Sequence, residues 1–323
     1  IQCCLVGSEM CIRDRIYPLF LVDGNNFKSP IESMPNCFRW SLDLLLHELD
    51  ECCNLGLQHF VLFPAVDDHL KDKIASYSYH EDNFYLKAIH SIKERFPTIT
   101  LMSDVAMDPY SSDGHDGFVE NGQILNDKTL TILSKMATAQ AQAGIDIIGP
   151  SDMMDGRIRT IREELDLGGY QNTSIMSYTA KYASSFYGPF RDALDSAPKA
   201  GDKKTYQMDP RNKREALIEA ELDELEGADF LMVKPALSYL DVIQTLSENS
   251  NLPISAYNVS GEYAMVHAAA EKGWLDYENT YIEILTSIKR AGADMILSYF
   301  AKDFVKRSVS YTHLRAHETT QDL

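Results

Sequence analysis

The chain has 323 residues, 45% of them hydrophobic, and a formal net charge of −18 at pH 7. That length fits one (β/α)8 barrel or two ordinary domains. The acidic balance argues against nucleic acid or an anionic membrane as a partner, because both need a basic protein surface. No apolar run is long enough to span a bilayer, so the sequence predicts no membrane segment.

The two ends of the chain differ from the rest. Residues 1–15 and 308–323 have no helical or strand period, and they resemble translated read-through of a sequencing adaptor. We interpret both as non-native segments, with disordered native tails as the alternative. Between them, residues 16–307 contain no linker and are predicted to form a single catalytic barrel domain.

A pattern of helix, glycine and buried strand recurs along this domain. The apolar runs are short and stop at polar residues, as in strands that are covered on both faces. They are residues 16–22, 59–68, 98–106, 145–152, 174–180, 228–235, 252–260 and 293–300. Eight strands that alternate with helices favour a closed, parallel (β/α)8 TIM barrel. An open nucleotide-binding sheet is disfavoured, because the sequence has neither G-x-G-x-x-G nor a P-loop.

The active site of such a barrel lies at the C-terminal ends of the strands. The polar residues predicted at these ends are Asp104, Ser151, Asp152, Lys181, Lys234, Ser260 and Tyr299. We expect them to converge on one mouth of the barrel.

Two lysines, Lys181 and Lys234, each close a predicted buried strand. A buried lysine is costly unless it is paired or neutral. A neutral lysine can attack a ketone to form a Schiff base, and two ammonium groups in one pocket lower each other's pKa. The alternative is that each lysine reaches solvent or pairs with a carboxylate. Two such lysines on neighbouring strands favour the catalytic interpretation.

Six long motifs occur within residues 16–307. They are PSDMMDGRI at 150–158, SYTAKYASSFYGPFRDA at 177–193, KKTYQMDP at 203–210, MVKPALSYLD at 232–241, NVSGEYAM at 258–265 and SYFAKD at 298–303. Together they resemble the porphobilinogen synthase (5-aminolaevulinate dehydratase) family from about Ile16 to Arg307. The resemblance implies a lyase that joins two molecules of 5-aminolaevulinate to porphobilinogen, an early step of tetrapyrrole biosynthesis, with loss of two waters.

The resemblance also implies roles for single residues. The first substrate would form its Schiff base on Lys234 and the second on Lys181. Arg191 and Lys203 would hold one substrate carboxylate, and the region from YGPFRDA at 187–193 to AGDKKTY at 200–206 is predicted to act as a mobile lid. Ser260 and Tyr299 would hold the other carboxylate, and Asp104 and Ser151 are further substrate-binding candidates.

The metal prediction also depends on the resemblance. Zinc-using members carry cysteines at the positions of Ala106, Asp108 and Asp116, so a thiolate zinc site is excluded here. The chain resembles the aspartate-rich branch that uses Mg²⁺, with an allosteric ion beside Glu219. Asp104, Asp108 and Asp116 either bind a cation in the active site or orient the substrate amine. His115 is a further candidate ligand, although a loop histidine is more often not one.

Assembly and location follow from the same resemblance. Members form a homo-octamer through an N-terminal arm, which this chain lacks or has replaced by residues 1–15, so its assembly is in doubt. The compartment would be the cytoplasm in a bacterium, or the plastid in an alga or plant. Two rival functions are another Schiff-base aldolase, which needs one lysine and a phosphate site, and a non-catalytic ligand-binding homologue, which would lack a lysine or the carboxylate clamp.

Overall fold

Eight parallel strands, β1 to β8, close into a barrel in the computed structural model, which describes residues 14–194 and 201–308. They are Arg15–Val22, His59–Ala65, Thr100–Val105, Ile147–Pro150, Ser174–Lys181, Phe230–Lys234, Ile254–Asn258 and Met295–Ser298. Each strand pairs with the next along the chain, and β8 pairs with β1 through Ile296 and Arg15 to close the circle. The predicted (β/α)8 barrel is therefore confirmed.

Helices α1 to α9 surround the strands in the described part of the chain. They are Leu42–Asn54, Phe84–Arg95, Asn126–Gln142, Arg157–Leu167, Gly188–Leu194, Glu215–Glu226, Leu240–Asn249, Ser260–Glu271 and Tyr277–Arg290, and residues 301–308 are also helical. In α9 the buried side chains recur every three or four residues, at Tyr281, Ile284, Leu285 and Ile288. This spacing places one apolar stripe of the helix against the barrel.

The strands are buried on both faces because helices cover the outside and side chains fill the inside. In β7 every residue from Ile254 to Asn258 is buried. Close packing also dictates Gly149 in β4, where an added Cβ would lie 2.7 Å from the carbonyl oxygen of Ser103 and 2.4 Å from Met102 Cε. No side chain fits at this position without moving the backbone of β3.

Two hairpins extend the barrel. One consists of Lys28–Ile31 and Met34–Trp40, and its second strand pairs with β1 at Phe20 and Leu21. The other joins Val119–Glu120 to Gln123–Ile124. The sequence interpretation did not include either hairpin.

The predicted domain boundaries, residues 16 and 307, lie near the limits of the described residues. Strand β1 begins at Arg15, next to the predicted boundary at residue 16, and the last helix is described as far as residue 308. The remainder of the two predicted non-native segments lies outside the described residues. Within the described ranges, no helix combines the length and the apolar character needed to cross a membrane.

Candidate active site

Lys181 and Lys234 lie side by side at the mouth of the barrel. Each is the last residue of its strand, β5 or β6, and the two are register partners across the parallel pair. Both are 6% exposed. The barrel thus brings the two predicted nucleophiles together, because parallel strands end at the same edge of the sheet.

Lys234 is enclosed by aromatic side chains. Its Nζ lies 4.6 to 5.4 Å from the ring centres of Tyr178, Tyr187, Phe190 and Tyr257. Burial lowers the pKa of Lys234 to about 7, and the positive charge of Lys181 acts in the same direction. A substantial fraction of Lys234 is therefore a free amine near neutral pH, which is the form that attacks a ketone.

Lys181 has a different environment, made of oxygen atoms. Its Nζ donates to Asp116 Oδ2 at 3.3 Å and to the main-chain carbonyl of Ser151. These contacts hold the side chain in one orientation and give its positive charge a partner. The two lysines therefore occupy one mouth but differ in how their charges are compensated.

Lys203 fills the space between two of the predicted carboxylates. Its Nζ lies 3.0 Å from Asp108 Oδ2 and 2.5 Å from Asp116 Oδ1. Burial acts to lower the pKa of Lys203, but the two carboxylates outweigh it and raise the pKa. Burial likewise acts to raise the pKa of Asp116, but Lys181 and Lys203 outweigh it and lower that pKa. Lys203, predicted to hold a substrate carboxylate, is thus ion-paired within the protein in this structure.

Asp104, which lies near the two lysines, is a carboxyl group suited to exchange protons near neutral pH. Burial raises its pKa to about 7, and the neighbouring charge of Asp108 adds to the effect. A hydrogen bond from Ser151 and the charges of Lys234 and Lys181 oppose this shift. A carboxyl group with a pKa close to the working pH serves well as a general acid or base.

The described part of the predicted lid lies over these groups. Arg191 is half-buried in α5, and the same helix carries Phe190. Ser260 Oγ accepts a hydrogen bond from the Phe190 amide at 3.0 Å. The Tyr299 hydroxyl lies 2.9 Å from that of Tyr257. Ser260 therefore tethers the lid, while Tyr299 supports the aromatic enclosure; residues 195–200 of the lid lie outside the described residues.

A small cavity of about 40 Å³ remains between the lid and the strand ends. Its lining brings together Asp104, Asp108, Ser151, Lys181, Tyr187, Phe190, Arg191, Lys203, Gln207 and Lys234. Since one water needs about 10 to 15 Å³ by this kind of measure, the cavity holds only a few waters. The space between the lid and the strand ends is therefore small in this structure.

Glu219 lies elsewhere, in a groove of about 1050 Å³. The acidic groove, as we call it, has Asp113, His115, Asp155, Asp202, Glu215 and Glu219 among its lining residues. Burial raises the pKa of Glu219 to about 7, and the charge of Arg157 opposes that shift. The structure therefore does not bring Glu219 to the two lysines.

The described residues contain no cluster of three histidine, cysteine or acidic side chains arranged to hold a metal ion. In the active site, Asp108 and Asp116 are occupied by Lys203 and Ala106 offers no donor atom. These residues do not fit a metal ion there. In the acidic groove fewer protein ligands would be needed, because Mg²⁺ keeps several waters and takes only one or two carboxylates.

Sequence reasoning missed two features of this site. One is the aromatic enclosure of Lys234. The only sequence signal for it is the high density of tyrosine and phenylalanine in residues 177–190. The other is Arg157, a buried cation behind the fourth and fifth strands. It lies inside the motif PSDMMDGRI, but nothing in that motif indicates what the guanidinium contacts.

At the mouth of the closed barrel, Lys234, with a pKa of about 7, lies beside Lys181, which is ion-paired to Asp116. This arrangement defines an enzyme suited to Schiff-base chemistry. The family model for delta-aminolevulinic acid dehydratase matches residues 4–307. The chain belongs to this family. The match begins within residues 1–15, most of which lie outside the described part of the chain.

Individual relatives agree with this assignment. The delta-aminolevulinic acid dehydratase of Chlamydia pneumoniae is 54% identical over 297 residues, which cover 92% of this chain and 90% of the relative. The chloroplastic enzyme of Physcomitrium patens is 56% identical over 289 residues, covering 88% of this chain and 66% of the relative.

A solved structure is equally similar. The porphobilinogen synthase of Toxoplasma gondii ME49, in complex with the reaction product porphobilinogen, superposes with a TM-score of 0.91 and 53% identity. The match covers 94% of this chain and 86% of that one. The predicted family and enzyme class are confirmed.

Proposed function

We propose that Lys234 and Lys181 of this chain bind two molecules of 5-aminolaevulinate as Schiff bases and release porphobilinogen with loss of two waters. The observation that carries the proposal is the pairing of the two lysines at the strand ends, with the pKa of Lys234 near 7. The names of the relatives and the product held by the Toxoplasma gondii enzyme support the same substrate and product.

The first step takes place at Lys234. Its neutral Nζ attacks the ketone carbon, and the adduct retains the former ketone oxygen as a hydroxyl group. That hydroxyl takes a proton and leaves as water, and a protonated imine remains. Asp104 lines the same cavity and, with a pKa of about 7, is suited to supply that proton and to recover it later.

The second step needs Lys181 to lose a proton before it attacks. Asp116, 3.3 Å from the Lys181 nitrogen, is the nearest base, but it must first be released from Lys203, whose charge lowers its pKa. Two substrates tethered to neighbouring strands then react as if they belonged to one molecule, which removes most of the entropic barrier. One carbon–carbon and one carbon–nitrogen bond join them, and both lysines are released.

The substrate carboxylates are assigned to two pairs of residues. Arg191 and Lys203 would hold one carboxylate, and Ser260 and Tyr299 the other. Lys203 would exchange its present partners, Asp108 and Asp116, for the incoming carboxylate. That exchange would leave Asp116 free to accept the proton of Lys181 and would couple substrate entry to the movement of the lid.

We also propose that Mg²⁺ acts outside the active site, beside Glu219. The acidic groove around Glu219 offers carboxylates to a hydrated ion, whereas the pairing of Lys203 with Asp108 and Asp116 leaves no such room at the lysines. An ion there would supply positive charge to the face of α6. In this proposal the ion takes no part in the bond-forming steps, which the chain's own residues carry out. Binding of Mg²⁺ beside Glu219 would be the property of the magnesium-type branch.

Borohydride trapping tests the central proposal. The protein is incubated with 5-aminolaevulinate, reduced, digested and analysed by mass spectrometry, with the exposed Lys204→Met as the matched control for Lys234→Met and Lys181→Met. Adducts on Lys234 and Lys181 are expected in the parent chain and in Lys204→Met. Folded protein without an adduct on either lysine would overturn the proposed mechanism.

Magnesium binding is tested by calorimetric titration of Glu219→Gln against Glu221→Gln, whose side chain is exposed on the same helix. We expect binding to weaken in Glu219→Gln alone. Equal binding in both variants would contradict the assignment.

The assembly and the compartment stay predictions. A homo-octamer is the family expectation, and light scattering of the purified chain tests it. A bacterial source would place the chain in the cytoplasm, and an algal or plant source in the plastid, like the chloroplastic relative from Physcomitrium patens.

A further inference from the structure

Arg157 is a buried arginine whose side chain joins three elements behind the mouth of the barrel. It is the first residue of α4 and is 2% exposed. One terminal nitrogen donates to Ser177 Oγ in β5 at 3.1 Å, and the other donates to the Met154 carbonyl at 3.2 Å. Its guanidinium also lies 3.7 Å from Asp223 in α6 and 3.9 Å from Asp152.

These contacts form a continuous buried network. Ser177 Oγ, which accepts from Arg157, donates to Asp223 Oδ2 at 2.6 Å. Asp152 Oδ1 accepts from the Met154 amide at 2.7 Å, which shapes the turn after β4. Burial raises the pKa of Asp152 to about 6, while the charge of Arg157 opposes that shift. One guanidinium therefore balances two buried acidic groups.

The network ends at Lys181 by two routes. The turn that the network supports contains Ser151, whose main-chain carbonyl accepts a hydrogen bond from the Lys181 ammonium group. Ser177 belongs to the same strand as Lys181, four residues earlier. A shift of the turn or of β5 would therefore move Lys181 relative to its oxygen partners. Lys234 is held by different contacts, the four aromatic rings around its nitrogen.

We propose that Arg157 is a positioning residue for the second Schiff base: by fixing the turn at residues 151–154 and β5 at Ser177, it aligns Lys181 but not Lys234. The inference rests on the proposed function, since it assigns to Arg157 a part in the reaction of Lys181. A misplacement of about 1 Å at a reacting group costs on the order of 100-fold in rate. Loss of Arg157 should therefore affect one lysine selectively.

The test measures adduct formation at each lysine separately. Initial rates of borohydride-trapped adduct at Lys181 and at Lys234 are compared in the parent chain, Arg157→Met, Arg157→Lys and Ser177→Ala. Arg15→Met serves as the control, because Arg15 is also a buried arginine but lies at the opposite, N-terminal end of a barrel strand. Thermal unfolding identifies the variants that fold.

We expect Arg157→Met to lower the Lys181 rate about 10- to 100-fold and the Lys234 rate less than about 2-fold. Arg157→Lys keeps the positive charge but lacks the planar guanidinium, so its Lys181 rate should lie between those of the parent chain and Arg157→Met. Ser177→Ala, the mildest change, decides the matter if Arg157→Met does not fold. Arg15→Met should keep the parent ratio of the two rates.

Two results would overturn the inference. One is an equal loss of both adduct rates in a folded variant, which indicates a general structural role. The other is an unchanged Lys181 rate in Arg157→Met or, if that variant is unfolded, in Ser177→Ala. A parent chain without any adduct would instead overturn the proposed function, and the inference with it.

Discussion

Lys181 and Lys234 are register partners on neighbouring strands, yet only Lys181 is ion-paired to the buried Asp116, whereas the Lys234 nitrogen lies among four aromatic rings. This asymmetry gives two identical side chains different chemistry. Near neutral pH, a substantial fraction of Lys234 is available as an amine, while the Lys181 ammonium is held by Asp116 and by the Ser151 carbonyl. The two lysines therefore differ in their surroundings, although they occupy equivalent positions at the strand ends.

The first prediction concerns the pH dependence of adduct formation at Lys234. Its pKa of about 7 means that the reactive amine is scarce at pH 5.5 and predominates above pH 8. The trapped adduct should form faster as the pH rises through about 7 and should level off above about 8. Initial trapping rates between pH 5.5 and 9 check this, and a rate that still rises tenfold per pH unit at pH 9, as expected for the ordinary lysine value of 10.5, would contradict it.

The second prediction concerns the lid residue Phe190. Its ring lies 5.1 Å from Lys234 Nζ and 5.0 Å from the ring of Phe63, so it helps to keep water from the amine. Burial is the main cause of the low pKa of Lys234. Phe190→Ala should therefore move the midpoint of the Lys234 profile upward by about one pH unit. Phe190→Leu keeps the site apolar and should move it less; equal midpoints in all three proteins would refute the explanation.

The barrel was predictable because its strands carry a local signal. Runs such as Phe230–Lys234 are apolar, short and preceded by a glycine that ends a helix, and each of these features is visible within ten residues of sequence. The hairpin over 28–40 lacks that signal. Pro30 and Pro35 interrupt it, and polar side chains break its alternation, so no local pattern predicts its pairing with β1 at Phe20 and Leu21.

The site was predictable where a residue's role depends on its place at a strand end, as for Lys181 and Lys234. It was not predictable where the role depends on contacts between distant segments. Lys203 meets Asp108 and Asp116 only because the lid folds over the third strand, and the two sides are 95 and 87 residues apart. The enclosure of Lys234 likewise combines Tyr257 of β7 with Phe190 of α5. No local sequence pattern predicts contacts between such distant segments.

The third prediction concerns Glu262, a fully buried carboxylate that supports the mouth from behind. It accepts hydrogen bonds from the Leu237 amide at 2.8 Å, the Asn258 side chain at 2.9 Å and the Val259 amide at 3.0 Å. Each donor left without a partner costs about 1 to 3 kcal/mol. Glu262→Ala should lower the free energy of unfolding by about 3 kcal/mol in urea denaturation. The exposed Glu271→Ala on the same helix should change it by less than about 0.5 kcal/mol, and similar values for the two would contradict the argument.

The fourth prediction concerns Asp116, which pairs with both Lys181 and Lys203. Asp116→Asn removes the negative charge between two buried cations, and breaking a buried pair costs about 3 to 5 kcal/mol. We therefore expect the free energy of unfolding at pH 7 to fall by about 3 kcal/mol. Asp113→Asn, at a half-buried position of the same loop, is the matched control and should have a small effect.

The stabilisation by Asp116 should also depend on pH in a defined direction. Burial acts to raise its pKa, but Lys181 and Lys203 outweigh it, so the pKa in the folded chain lies below the unfolded value of 3.8. The folded state therefore binds fewer protons than the unfolded state as the pH falls through this range. The contribution is fully present above pH 3.8 and is lost as the pH falls through the lower pKa of the folded chain. Urea denaturation of the parent and Asp116→Asn at pH 7 and at about pH 3 measures this. The difference between the two proteins should shrink at the acidic pH, and a difference that grew there would show that the charge of Asp116 does not stabilise the fold.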